Sequence, residues 1–204
     1  MVNNKYRIVD VAFELSLKHG FDSVSMKQIQ DETGLSAGVI YYHFKSKDEI
    51  LEYMINRYLL DSFETFKKEV KDFDGSFMEK IEFIFNYKAF HFVENEYSEA
   101  QTLNNPQFSR KDYFPLITGI YHNHHEIREK FYQLHDDLYD FYYEMVKEAI
   151  KNNEIRGDIK IRMLVMFIQS IFKGYADLWV FQPNFSFEEL VDANLKMIHE
   201  AIKK

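Results

Sequence analysis

The side chains with chemistry to offer gather between Ser25 and Lys47, where serines, tyrosines, a histidine and lysines are interleaved with small residues. Hydroxyl, imidazole and ammonium groups so spaced suit hydrogen bonding to phosphate oxygens and base edges. Ser25 is placed to accept an orphan backbone N–H at the start of one short helix, and Ser36 at the start of a second. Gly34 stands between them, where a left-handed residue ends the first helix at little steric cost, and Leu35 plugs the corner. The first helix carries Ile29 inward. Ile40 and Phe44, four apart, give the second helix one buried stripe, which leaves Gly38, Val39, Tyr41 and Tyr42 facing outward. Two helices about a glycine turn predict a helix-turn-helix, a shape that lays its second helix in a DNA major groove.

Two other groups could carry chemistry. His122, His124 and His125 lie near Glu126, Glu129 and His135, and the four-residue pairs His122/Glu126 and His125/Glu129 have a spacing that could share a metal. Solvated pairs at a helix start explain the same residues. Residues 81–93 are apolar nearly all round, which predicts a helix buried on all sides. Lys88 and His91 are set in that helix, so they point into a cavity unless Lys88 reaches the surface. No Ser/His/Asp order, glycine-rich phosphate loop or metalloprotease helix is present, so neither an enzyme nor a cofactor is expected.

The elements that must position these residues all read as helices, and no run alternates with period two for long enough to argue a strand. Helices are predicted at about 4–20, 25–33 and 36–44, then a long one from Ser46 to about Phe73. Asp74-Gly75-Ser76 breaks the chain before a helix to about Val93. The polar stretch Glu94–Lys111 is expected to be the least ordered. A short helix at 113–121 and a long one at 124–152 follow, then a turn at 153–157. Asp158 is expected to cap a helix reaching Phe181, and Ser186 to cap the last, 187–202. The fold class is all-α.

Bulk properties bound the rest. A hydrophobic fraction of 46% in 204 residues is ample for a core, and with no cysteine neither a disulfide nor a Cys-based zinc site can form. No N-terminal run resembles a signal peptide, and Lys or Asp interrupts the long apolar stretches, so a cytoplasmic protein without a membrane partner is expected. The net charge of −8 is unusual for a DNA binder. Up to Leu60, however, seven Lys and Arg face eight Asp and Glu, a net of −1, and the other −7 lies beyond. Between Ala37 and Lys47 the only charged side chains are Lys45 and Lys47, with His43 beside them, so the local surface is positive. Aromatics make up 17% of the chain. Three in a row, Phe141–Tyr143, cannot all face one side, so some must face a pocket or a second subunit.

The run Tyr41 to Leu51, Tyr-Tyr-His-Phe-Lys-Ser-Lys-Asp-Glu-Ile-Leu, preceded by Gly34-Leu35-Ser36-Ala37-Gly38, resembles the signature of the TetR-type (tetracycline-repressor-like) transcriptional regulators. The likeness extends back through Ile8–Leu15 and His19-Gly20-Phe21-Asp22 and covers roughly residues 5–55. It implies a helix-turn-helix head at 1–48 and a helical ligand-binding and dimerisation body at 49–204. It also implies a homodimer on palindromic double-stranded operator DNA, most simply a repressor released by a small-molecule effector. Ligand binding would then shift the helix that leaves the head.

By the same resemblance Tyr41, Tyr42, His43 and Lys47 align with positions that contact phosphates or bases, and Ser25 and Ser36 would present helix N-termini to phosphates. Lys27, Ala37, Gly38, Val39 and Lys45 complete the expected DNA-binding set. Ala37 stands where a basic residue is common and Val39 where a small polar one is, although Val39 can pack on a thymine methyl. The expected ligand pocket draws on Phe85, Lys88, His91, Tyr121, Tyr139, Tyr142, Tyr143 and Phe172, and would take an apolar or aromatic molecule with an acceptor-rich or anionic end. Phe167, Ile171, Tyr175 and Trp179, with Leu190, Leu195 and Ile198, are the expected dimer interface. Alternatives are an activator on the same fold, or a metal sensor using the His122–His135 region.

Overall fold

The computed structural model describes residues 3–90 and 110–204, with the side chains of 88–90, 110 and 111 left aside. His91 and residues 94–109 of the polar stretch lie outside the described residues. Among those described every regular element is helical. The chain forms two compact units, one of residues 1–64 with 90–131 and the other of 65–89 with 132–204. This division differs from the expected 1–48 and 49–204 segments.

In the first unit α1 (Asn4–His19) begins on Asn3, whose side chain accepts from the Lys5 N–H, and ends at Gly20, where φ is 76°. A 3-10 turn, Phe21–Ser23, leads into α2 (Met26–Thr33). Gly34, at φ 65° and ψ 13°, ends α2 in the left-handed conformation and donates its N–H to Gln30, as a C′ glycine does. Then come α3 (Ala37–His43) and α4 (Lys47–Ile55). Ile8, Val9, Ala12, Ile29, Ile50 and Leu51 are wholly buried between these helices, each such side chain larger than alanine stabilising by roughly 1.5–3 kcal/mol.

The long helix expected from Ser46 to Phe73 is interrupted. Residues Asn56–Asp61 are π-helical, and regular geometry resumes in α5 (Ser62–Asp72). The segment buries Arg57, Tyr58 and Leu59. Tyr58 stacks on Phe13 of α1 at 3.9 Å and donates to Asp10 Oδ1 at 2.5 Å, while Arg57 Nε lies 3.3 Å from the same oxygen. Burial raises the Asp10 pKa against the opposing influence of those two partners. A local widening of the helix lets consecutive residues 57 and 58 both meet this buried carboxylate. The unit closes with α7 (Arg110–Asn123), the 3-10 turn His125–Ile127 and the first turn of α8 (Arg128–Lys151).

The second unit holds the rest of α8 with α6 (Phe77–Phe90), α9 (Ile161–Phe181) and α10 (Phe187–Ile202). In α6, Ile81, Ile84 and Phe85 are fully buried, but Glu79, Glu82 and Asn86 are exposed. The helix therefore has a polar edge rather than being buried on all sides. Asn153 takes a positive φ of 56° in the turn after α8. Asp158 caps nothing. It accepts two bonds from Arg156, both 2.6 Å, and α9 starts two residues later than expected, behind Lys160. Ser186 caps α10 through a capping box with Glu189. By length and composition α9 could cross a membrane. Its inner face, Leu164, Val165, Ile168, Phe172, Tyr175 and Ala176, is buried in this unit.

Candidate nucleic-acid interface

The head is a rigid frame with an aromatic display. Ser25 Oγ accepts from the Gln28 N–H at 3.2 Å, and Gln28 Oε1 accepts from the Ser25 N–H at 2.8 Å, which fixes the start of α2 from both directions. At its other end the wholly buried Thr33 hydroxyl donates to the Ile29 carbonyl at 2.7 Å and accepts from Leu35 N–H at 3.4 Å. That brace across the turn was not anticipated from sequence. Ser36 Oγ accepts from the Val39 N–H at 3.4 Å.

On α3, Ile40 and Phe44 are buried as the four-residue spacing predicts, while Tyr41 is 49% and Tyr42 78% exposed. His43, half-buried, meets the Tyr42 ring edge to face at 5.1 Å. Gly38 and Ala37 are exposed and Val39 half-buried. Between α2 and α3 lies a groove of about 240 Å³ lined by Met26, Lys27, Gln30, Ala37, Ile40 and Tyr41. Lys45 Nζ donates to the Tyr41 carbonyl at 2.8 Å, where a cation suits the carboxyl end of α3.

Lys47 departs from its expected role. Its ammonium donates to three carbonyls, Phe21 and Val24 at 2.8 Å and Asp22 at 3.1 Å, and sits 4.5 Å from the Phe21 ring centre. An ammonium has three protons, so none is left for a phosphate. Burial lowers its pKa, with Asp22 and Asp48 opposing the shift. Lys47 is a strut that ties the first turn of α4 to the chain entering α2. Sequence gives no sign of this, since the contacts span more than twenty residues.

Asp22 itself is gripped from the other side. Its Oδ2 accepts from Asn123 Nδ2 at 2.6 Å, and its Oδ1 lies 2.8 Å from His124 Nε2. The Asn123 hydrogen bond, then His124 and Lys47, hold the Asp22 carboxyl below the usual range. The residue pairs His122/Glu126 and His125/Glu129, whose spacing could share a metal on one helix, do not lie on one continuous helix, because α7 ends at Asn123 and α8 starts at Arg128. His122 and His125 are exposed, and among the described residues no three His, Asp or Glu side chains converge to hold a metal.

The residues expected around a ligand fall into separate places. Phe85, Tyr142 and Phe172 meet in the core of the second unit, with Phe172 centred 4.6 Å from Phe85 and 5.6 Å from Tyr142. Burial pushes the Tyr142 hydroxyl well above its ordinary pKa. Tyr139 and Tyr143, half-buried, lie 6.2 Å apart on α8. Tyr121 belongs to the first unit, under the Arg128 guanidinium at 5.2 Å. Lys88 lies on α6, but its side chain, like all of His91, is outside the described residues.

The expected interface set also divides. Tyr175, Leu190 and Ile198 are buried within the unit, so they cannot line a surface between protomers. Tyr175 instead packs on Phe85 at 4.9 Å. Ile171, Trp179 and Leu195 are half-buried. Among the described residues of α9 and α10, the exposed large apolar side chains are Met163, Met166, Phe167, Phe181 and Met197, turned from the core.

Comparison with known proteins gives this arrangement a context. Residues 8–54, which span α1 to α4, match the family described as bacterial regulatory proteins, tetR family. An HTH-type transcriptional regulator of Staphylococcus aureus (strain USA300) is 30% identical over 146 residues, covering 71% of this chain and 68% of that protein. The fold is shared with a transcriptional regulator of Saccharomonospora viridis in complex with choline, at TM-score 0.76 and 17% identity over 98% of both chains. It is shared too with a TetR-family regulator of Cytophaga hutchinsonii, at TM-score 0.74 and 14% identity over 98% of this chain and 94% of that one. With a braced helix-turn-helix at its N-terminus, this chain belongs to the TetR family of DNA-binding transcriptional regulators.

Proposed function

We propose that the protein is a ligand-responsive repressor that binds a palindromic operator as a homodimer and leaves it when a small apolar or aromatic effector binds. The observation that carries the DNA-binding role is the exposed Tyr41–Tyr42 pair on a helix whose other side is locked in the core. Exposing two large aromatics on a helix held that firmly does nothing for stability, and their hydroxyls suit phosphates while their rings suit sugars and bases. Val39 and Gly38 let α3 approach base edges closely. The exposed apolar stripe on α9 supports dimerisation, and one recognition helix alone reads too few bases for useful specificity. The aromatic cluster of α6, α8 and α9 supports an apolar effector, and the structure of the Saccharomonospora regulator in complex with choline supports a small organic one. Release requires an effector that prefers the non-binding state, since equal affinity for both states shifts nothing.

The test is fluorescence anisotropy with duplexes from the protein's own promoter region. Tyr42→Ala should weaken operator binding by about 1–3 kcal/mol, roughly five- to 150-fold, with an unchanged thermal midpoint. Full affinity in Tyr42→Ala would remove α3 as the reading helix.

A further inference from the structure

The turn Phe21–Val24, which feeds α2, is held from two sides by groups that have no counterpart in the helix-turn-helix itself. From α4, Lys47 is strung across three of its carbonyls. From the end of α7, more than a hundred residues along the chain, Asn123 and His124 take the two oxygens of the Asp22 carboxylate at 2.6 and 2.8 Å. The contact is not a floppy surface pair. The His124 side chain is only 13% exposed, and its ring packs edge to face on the buried Phe21 at 5.4 Å. The other ring nitrogen, Nδ1, lies 3.1 Å from Glu126 Oε1, so the imidazole is aimed from behind as well as in front. Two donors on one carboxylate define its position and its plane, where a single ion pair would define only a distance.

We propose that Asn123 and His124 are positioning residues for operator binding. They form a latch through which the end of α7 fixes the turn before α2, and with it the presentation of α2 and α3. The inference rests on the DNA-binding reading above. It adds a second route to the recognition helices, through the end of α7, separate from the one that leaves the head along α4. A shift of α7 that opened the latch would free Asp22 and leave Lys47 holding a turn secured on one side only.

The experiment is a double-mutant cycle on operator affinity with Asp22→Ala, His124→Ala and the double variant, alongside His124→Gln and Tyr42→Ala. If the latch acts as one unit, each alanine variant weakens binding about tenfold and the double variant is no weaker than either single one. His124→Gln, which keeps an N–H donor near the Nε2 position, should recover most of the loss. Hydrogen exchange should quicken at residues 21–25 in the alanine variants and stay unchanged in α9 and α10. Losses that simply add, or affinity that stays at the unsubstituted level while Tyr42→Ala has lost it, would overturn the latch and leave the recognition helix standing. If Tyr42→Ala also binds normally, the DNA-binding reading of α3 is what fails. Should an alanine variant not fold, His124→Gln against His124→Leu makes the same comparison with a shape-filling side chain and no donor.

Discussion

At the scale of single residues, the informative side chains are those whose partners lie far along the chain. Lys47 belongs to the run that marks the family, yet its three protons are spent on Phe21, Asp22 and Val24. Lys47→Met should therefore lower stability by about 1–3 kcal/mol through three carbonyls losing their donor. It should weaken operator binding without changing the slope of log affinity against log salt. A slope shallower by about one per protomer would instead mean that Lys47 meets a phosphate. Asp22 gives a pH prediction. Its folded pKa is depressed, first by the Asn123 hydrogen bond, so the stability it contributes is present above the unfolded value, near 3.9. That contribution is lost as pH falls through the lower folded value. Asp22→Asn should thus lower stability evenly across the neutral region and flatten the acid limb of a stability–pH curve below about pH 4. None of this was legible in the sequence, where Lys47 reads as a phosphate contact and His124 as one histidine of a solvated group at a helix start. Short-range spacing says which residues share a helix face. It does not say which distant turn a side chain will reach.

At the scale of elements the sequence was read more fully, because caps and stripes are local. Ser25, Gly34, Ser36 and Ser186 end or begin helices as their types predict, and Ile40 with Phe44 gives α3 its buried side. Asp158 misled, since Arg156 two residues away outcompetes the backbone for its carboxylate. The π-helical segment was also hidden. Nothing in Asn56–Asp61 forbids an ordinary helix, and what favours the wider turn is tertiary: both Arg57 and Tyr58 must reach Asp10 of α1. Asp10→Ala tests this fastening. Removing the carboxylate deprives a buried guanidinium and a buried hydroxyl of a shared acceptor, and should cost about 3–5 kcal/mol by urea unfolding. A loss below about 1 kcal/mol would show that the ring contacts, Phe13 on Tyr58 and Arg57 over Tyr6, hold α1 to the segment without the carboxylate.

At the scale of the whole molecule, the proposed assembly rests on the two C-terminal helices, whose breadth in sequence hid which stripe faces in. The core took Tyr175, Leu190 and Ile198, and left Met163, Met166 and Phe167 outside. Phe167→Glu should therefore convert a dimer to a monomer in sedimentation equilibrium, whereas Ile198→Glu should unfold the protomer. A dimer that survives Phe167→Glu would place the interface elsewhere. The exposed stripe has one more consequence. Three of its side chains, Met163, Met166 and Met197, are thioethers more than half open to solvent. Oxidation to the sulfoxide makes such a side chain polar and adds a new stereocentre at sulfur. In the proposed dimer, a protomer that has not yet found its partner offers these sulfurs to peroxide, and a paired one covers them. Dilution would then expose the protein to chemical ageing as well as to dissociation, and each sulfoxide formed while it is single would make the next pairing harder.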